Sequence, residues 1–206
     1  MIGLVDYGLG NLEAFANIYR RAGIDARRLS RPEDIATASR LILPGVGSFD
    51  WAMDRLNGSG LRDALDEAVL GRHIPVLGIC VGMQMMMERS EEGSTPGLGW
   101  ITGDVVRLPD RGAKFPLPHM GWNDVRPRGD GPLFDALDAP RFYFLHSYHV
   151  ATATVDAVLA EADYGMTITC AVQQGHIRGV QFHPEKSHDC GVRLLENFAT
   201  MALDRC

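Results

Sequence analysis

The chain is poor in lysine, in cysteine and in long apolar runs, and each shortage removes a class of function. Only two of its 20 basic residues are lysines, Lys114 and Lys186, and the arginines are dispersed in pairs such as Arg20-Arg21 and Arg27-Arg28. With 26 acidic residues the formal net charge is −6. No basic stripe is present to neutralise a phosphate backbone, which argues against nucleic acid as the main partner. No apolar run approaches the roughly 20 residues that cross a bilayer as a helix. The segment Met1-Ile-Gly-Leu-Val-Asp6 lacks a basic stretch leading into a signal core and reads as a buried strand. The four cysteines, Cys80, Cys170, Cys190 and Cys206, contain no C-x-x-C pair, so neither a disulfide framework nor a zinc knuckle is indicated. A cytoplasmic location with reduced thiols is the expectation.

What is present is the composition of a folded chain: 206 residues, 46% hydrophobic and 22% charged, without low-complexity tracts. Strand and helix signals alternate through the first half. Ile2 to Val5 is a short apolar run, and Asn11 stands where a helix N-cap belongs, ahead of Leu12, Phe15, Ile18 and Tyr19 at helical spacing. Arg40 to Pro44 is a second buried strand, ending in the turn Pro44-Gly45-Val46-Gly47-Ser48. Helical patterns cover Phe49 to Leu56 and Leu61 to Leu70. Ile74 to Ile79 is a third strand, and Met83 to Glu88 reads as the helix after it. The second half has a Gly- and Pro-rich stretch over 91–135 with a β-like piece at Asp104 to Leu108. Short β-rich runs follow at Arg141 to Leu145, Ala157 to Ala160, Thr167 to Gln173 and His176 to Phe182. A last helix spans Gly191 to Leu203, with Val192, Leu195, Phe198, Ala199 and Ala202 on its apolar face. The pattern predicts one α/β domain over residues 1–206. Its central sheet is mostly parallel and flanked by helices, with additional antiparallel strands in the C-terminal half.

Gly78-Ile79-Cys80-Val81-Gly82-Met83-Gln84 is the sharpest chemical feature. A buried strand runs into a small-residue turn and a helix pattern begins at once, which is the nucleophile-elbow arrangement with cysteine in the nucleophile's place. A thiol at a helix N-terminus feels the positive end of the dipole, which favours thiolate. The Val81 N–H is placed to meet a developing oxyanion. The alternative for Cys80 is an inert buried thiol at a strand end. His183 and Glu185, two apart in Gly179-Val-Gln-Phe-His-Pro-Glu-Lys186, supply a base and its orienting acceptor. An extended chain, held so by Pro184, puts both side chains on one face. The glycine-rich turn after the second strand shares the carboxyl edge of the sheet, and its Val46 and Gly47 can present a second oxyanion donor. The four methionines Met83, Met85, Met86 and Met87 read as core and interface filler, and no metal site is expected there. His146 and His149 fit a strand-end loop better than a metal pair. His188 reads as solvated. Cys170, Cys190 and Cys206 have no base nearby in sequence and read as structural or surface thiols.

Five motifs in order, Pro44-Gly-Val-Gly47, Gly78-Ile-Cys-Val-Gly-Met-Gln84, Pro118-His-Met-Gly-Trp-Asn123, Phe144-Leu-His-Ser-Tyr148 and Gln181-Phe-His-Pro-Glu-Lys-Ser187, resemble the class I (triad-type) glutamine amidotransferases. The resemblance covers essentially the whole chain, from Asp6-Tyr-Gly-Leu-Gly-Asn11 to the final helix. Within the family the chain is most similar to the glutaminase subunits serving imidazole glycerol phosphate synthesis in histidine biosynthesis. The resemblance implies that Cys80 attacks the side-chain amide of L-glutamine and that His183 protonates the departing ammonia. Water activated by His183 then hydrolyses the Cys80 thioester, while Glu185 holds the imidazole's tautomer. It implies further that Gln84, His146, Ser147 and Tyr148 help hold glutamine, and that Asn11, Trp122, Tyr143 and Lys186 face a partner.

The resemblance implies that this partner is a synthase (cyclase) subunit, which would receive the ammonia and form imidazole glycerol phosphate and AICAR. The glutaminase half needs no metal and no organic cofactor. Chemistry points to a partner independently: ammonia released into neutral water mostly protonates and ceases to be a nucleophile, and these residues contain no synthase motif or phosphate-binding loop. Three alternatives stay open. The first is a paralogous glutaminase subunit supplying ammonia for amidation of a surface-polysaccharide sugar, a branch sharing Pro118 to Asp124 and Pro184 to His188. The second is a non-catalytic regulatory or binding subunit. The third is a cysteine hydrolase acting alone. Val81 departs from the family, which often has Leu there.

Overall fold

The computed structural model describes residues 1–152 and 154–202. Strand β1 (Ile2–Val5) is buried at every position. Helix α1 (Leu12–Arg21) follows, capped by Asn11, whose side chain accepts the Ala14 N–H. Leu12, Phe15 and Tyr19 face the core while Ile18 is only partly buried. Two elements that the periodicity does not reveal come next, β2 (Ala26–Leu29) and α2 (Pro32–Ile35). β2 lies at the sheet's edge with Arg27 and Arg28 exposed, so no apolar run announces it.

Strand β3 (Arg40–Gly45), helices α3 (Phe49–Gly58) and α4 (Arg62–Asp66), strand β4 (Val76–Cys80) and helix α5 (Val81–Met85) follow the expected order. The helix expected over Leu61 to Leu70 is α4 followed by a π turn, Glu67–Gly71. The one expected over Met83 to Glu88 is displaced: α5 starts directly after Cys80 and stops at Met85. Its end has a visible cause. The carbonyls of Met85, Met86 and Met87 accept the N–H groups of Leu98, Ile101 and Gly99, so the returning chain takes the bonds that further helical turns would make. All four methionines are fully buried, as core filler should be.

The second half contains β5 (Arg89–Ser90), β6 (Gly103–Arg107), β7 (His119–Pro127), β8 (Arg141–His146), β9 (Tyr148–Thr152), β10 (Val158–Asp163), β11 (Thr167–Gln174) and β12 (Ile177–Val180). Helix α6 (His188–Thr200) is the last element of the described residues. It begins three residues before the expected Gly191 and buries Leu194, Leu195 and Phe198; Ala202 is exposed beyond its end, and Leu203 lies outside the described residues. β7 was hidden in the Gly- and Pro-rich stretch because Met120, Trp122, Asp124 and Arg126 are exposed along it.

The main sheet runs β2-β1-β3-β4-β12-β11-β10-β7-β8. From β2 to β12 the neighbours are parallel, and from β12 onward they are antiparallel. β9 joins by pairing with β11 and with β6, which also pairs with β5. This is the expected α/β class, with its antiparallel strands in the C-terminal half. β12 is the pivotal strand, parallel to β4 on one side and antiparallel to β11 on the other. The register sets Gly45 opposite Cys80 and Val180 opposite Ile79, so the carboxyl ends of β3, β4 and β12 meet on one edge.

Candidate active site

Cys80 occupies the last position of β4 and takes φ of 55°, a conformation that costs a non-glycine residue about 1–3 kcal/mol and recurs at functional turns. The elbow closes because the residues around it lack side chains. A Cβ on Gly45 would lie 2.1 Å from the Gly82 nitrogen, one on Gly82 2.0 Å from the Leu43 carbonyl oxygen, and one on Gly78 2.7 Å from the Gly82 oxygen. β3, β4 and the first turn of α5 therefore touch backbone to backbone. Tyr7 fixes the end of β3 from beneath, donating its hydroxyl to the Pro44 carbonyl at 2.5 Å.

His183 reaches Cys80 from the end of β12. Its Nδ1 lies 2.9 Å from Glu185 Oε1, and both side chains are 4% exposed. A carboxylate oxygen accepts only, so Nδ1 carries a hydrogen and Nε2 is the ring nitrogen left to exchange a proton with the sulfur. The expected route to this pairing is corrected by the structure. His183 itself is extended, but Pro184–Lys186 is a 3-10 turn, not a continuation of the strand. Proline's fixed φ suits the first position of a helical turn as well as an extended chain, and here the first use prevails. The turn is pinned to β8: His183 N–H donates to the Tyr143 carbonyl at 2.9 Å, and the Ser187 hydroxyl accepts the Tyr143 N–H while donating to the His183 carbonyl.

Burial on its own lowers the His183 pKa, but hydrogen bonds and charge from Cys80 and Glu185 outweigh it and raise the value to about 10. The base is thus built to hold a proton beside the sulfur. The other cysteines differ. Burial pushes the Cys170 thiol far up, which keeps it protonated; Cys190 is partly buried, and Cys206 lies outside the described residues.

A cavity of about 360 Å³ opens on the triad, lined by Cys80, Val81 and His183, by Val46 and Gly47 of the β3 turn, and by Leu145 through Tyr148. Glu92, Pro118 and Lys186 complete its wall. A narrow extension of about 50 Å³ reaches Gln84. A larger depression of about 500 Å³ beside Trp122, Arg141 and Asp189 contains no member of the triad.

The sequence-predicted residues are largely gathered here, with instructive differences. Gln84 Nε2 donates to the Tyr148 carbonyl and to Gln181 Oε1, both at 3.0 Å, so its two amide hydrogens are spent inside the protein. Gln181 in turn has its Nε2 3.7 Å from Cys80 Sγ. Lys186 Nζ lies 5.8 Å from the centre of the Tyr143 ring, and Trp122 lies 6.3 Å from that ring while stacking on His188. Asn11 is exposed at the cap of α1, beside Gly10, which packs on Pro44. Val46, Met120, Trp122 and Leu145 are exposed large apolar side chains on this side of the sheet.

Sequence reasoning missed Glu92, Gln181 and His119. Glu92 was indistinguishable from a solvated acidic run, yet its Oε2 accepts the Phe49 N–H at 2.8 Å at the start of α3 while the side chain lines the cavity.

A family model described as "Glutamine amidotransferase class-I" matches residues 4–202. A Bdellovibrio bacteriovorus protein named "Imidazole glycerol phosphate synthase subunit HisH" is 50% identical over 202 residues, covering 97% of this chain and 99% of the relative. A Leptospira interrogans protein of the same name is 47% identical over 204 residues, covering 98% and 100%. A Pseudomonas aeruginosa protein named "Imidazole glycerol phosphate synthase subunit HisH 2" is 45% identical, again covering 98% and 100%. Among solved structures, one described as a glutamine amidotransferase superposes with a TM-score of 0.74 at 20% identity, over 96% of this chain and 98% of that one. A glutamine amidotransferase from Thermotoga maritima gives 0.61 at 19% identity, over 96% and 81%. At these identities the structural likeness bears on the fold alone.

Proposed function

The chain belongs to the class I glutamine amidotransferases, and from that premise we propose that residues 1–206 form one glutaminase unit of imidazole glycerol phosphate synthase. It hydrolyses L-glutamine at Cys80 and passes the ammonia to a separate synthase subunit in histidine biosynthesis. The observation that carries the chemistry is the buried Cys80-His183-Glu185 array at the mouth of a cavity large enough for an amino acid. The names of the full-length relatives carry the pathway and favour it over sugar amidation.

In this reading the Cys80 sulfur attacks the side-chain carbonyl carbon of glutamine. The N–H of Val81, at the first position of α5, and one from the Val46-Gly47 turn receive the oxyanion. The tetrahedral adduct collapses as His183 gives its proton to the amide nitrogen, ammonia leaves, and a thioester remains on Cys80. Water then loses a proton to His183 as it attacks the thioester, and glutamate departs as the Cys80 sulfur is restored. Glu185 keeps the imidazole in the productive tautomer throughout. Glu92 and Lys186 supply opposite charges on the cavity wall, matching the ammonium and carboxylate of an amino acid. Ser147 and Tyr148 line the substrate's path. The apolar and aromatic surface around Met120, Trp122 and Tyr143, with Lys186 and Asn11, is the docking face for the synthase, and the ammonia crosses there without entering bulk water.

The direct test is an electrophilic glutamine analogue followed by peptide mass mapping. A single adduct on Cys80, lost in Cys80→Ala, is expected. Labelling at another cysteine, or none with the synthase subunit present, overturns the triad. Glutaminase activity is expected to be weak in the isolated chain and to rise on complex formation, whereas a hydrolase acting alone shows full activity without a partner.

A further inference from the structure

A chain of polar contacts outside the triad, buried at its centre between His119 and His146, ends on the cavity wall. His119 on β7 faces His146 on β8 directly across the strand pair. His119 Nδ1 and His146 Nε2 are 2.9 Å apart, and His146 Nδ1 is 2.8 Å from the Tyr148 carbonyl. At the other end, Asn123 Nδ2 lies 3.3 Å from His119 Nε2 and donates to the Asp163 carbonyl at 2.8 Å. Asn123 Oδ1 accepts the Asp124 N–H, which fixes which end of the amide points inward. The His119 ring is stacked between Tyr164, centroid distance 3.9 Å, and Phe144, 4.7 Å.

The two ends determine every proton between them. A carbonyl oxygen only accepts, so His146 Nδ1 carries a hydrogen and its Nε2, in the neutral ring, is an acceptor. His119 must then donate from Nδ1, which leaves its Nε2 to accept from the Asn123 amide. Each contact is satisfied in one arrangement only, with both rings neutral.

We propose that His119 is a positioning residue for glutamine binding: by donating from Nδ1 to His146 Nε2 it holds the His146 ring in place, and through it the turn at Ser147 and Tyr148 that lines the cavity. The proposal rests on the glutaminase reading above. The Tyr148 carbonyl is the junction, since it accepts from both His146 and Gln84. His119 itself is absent from the cavity wall, so it acts through its neighbour and not on the substrate. The environment agrees. Burial lowers the His119 pKa to about 4, and burial, the other histidines His119, His149 and His183, and the surrounding contacts leave His146 at about 3.

Two substitutions at one position separate this role from simple packing. His119→Phe keeps a flat ring between Tyr164 and Phe144 but removes the donor. His119→Asn loses the stacking area but returns an N–H close to the place of Nδ1. In the complex with the synthase subunit, His119→Phe is expected to raise KM for glutamine about tenfold, the value of one lost buried hydrogen bond, with kcat within about threefold of the parent. His119→Asn is expected to recover most of that loss. Nitrogen-15 NMR of the imidazoles provides a readout independent of activity, with both rings expected in the Nδ1–H form. A parental KM in His119→Phe, or an Nε2–H tautomer in either ring, overturns the proposal. An unsubstituted complex that hydrolyses no glutamine removes the glutaminase reading instead, and the NMR result still stands on its own.

Discussion

Glu185 engages only one of its two buried carboxylate oxygens. Oε1 takes the His183 proton donor, while Oε2 is buried and accepts no hydrogen bond among the described residues. Glu185→Gln therefore has no good solution. With its oxygen on His183, the new NH2 group is buried without an acceptor; turned over, it offers a donor to Nδ1 and forces the proton onto Nε2, facing the sulfur. Either way the negative charge that supports the imidazolium is gone. The expected result is a fall in kcat of roughly 10²-fold or more with the fold retained. The basic limb of the kcat/KM profile, set by an imidazole held near 10 in the parent, moves to lower pH. Parental activity in this variant removes Glu185 from the triad. These three residues were legible in the sequence because the elbow and the His-x-Glu pair are local patterns. Glu92, Gln181 and His119 were not, because each owes its place to a partner far along the chain: Phe49, Cys80 and His146 respectively.

At the scale of elements, the elbow depends on backbone contact between β3, β4 and α5. Gly82→Ala drives a methyl group to within 2.0 Å of the Leu43 carbonyl, and neither strand nor helix can yield without moving Cys80. A loss of about 3 kcal/mol in urea denaturation is expected, with glutaminase activity falling alongside it. Gly58→Ala is the matched control. That glycine sits in the last turn of α3 with nothing within 4 Å of a new Cβ, so a gain of about 0.5–1 kcal/mol is expected there. Equal effects at the two positions contradict the close-packing account. The same scale explains which elements the sequence displays. β1, β3 and β4 are buried at every position and, apart from Arg40 at the start of β3, appear as continuous apolar runs. β2 and β7 carry charge or exposed aromatics on one face and look like loop until their neighbours are known. The early end of α5 was illegible for another reason: it is imposed by three backbone bonds from a segment more than ten residues away.

Taken as a whole, the molecule couples its folding to pH through histidines shifted in opposite directions. His119 and His146 are held at about 4 and about 3, below the ordinary value of 6.5 that the unfolded chain has. Above pH 6.5 both states leave these rings neutral and the stability is intact. As pH falls below 6.5 the unfolded chain binds protons that the folded one refuses, so stability declines from 6.5 down towards the folded values. His183 has the opposite sign. Raised to about 10, it favours the folded state fully below pH 6.5 and loses that contribution as pH rises through 10. Stability is therefore expected to peak near neutrality and fall on both flanks. Urea midpoints measured from pH 4.5 to 9.5 test this, and variants assign the flanks. His119→Asn removes one buried neutral ring and is expected to flatten the acid flank by up to about 1.4 kcal/mol per pH unit while leaving the basic flank in place. Cys80→Ala takes away a neighbour that raises His183 and is expected to soften the basic flank alone. An acid flank unchanged in His119→Asn shows that the buried histidine chain is not what resists protonation, and places the loss on the carboxylates instead.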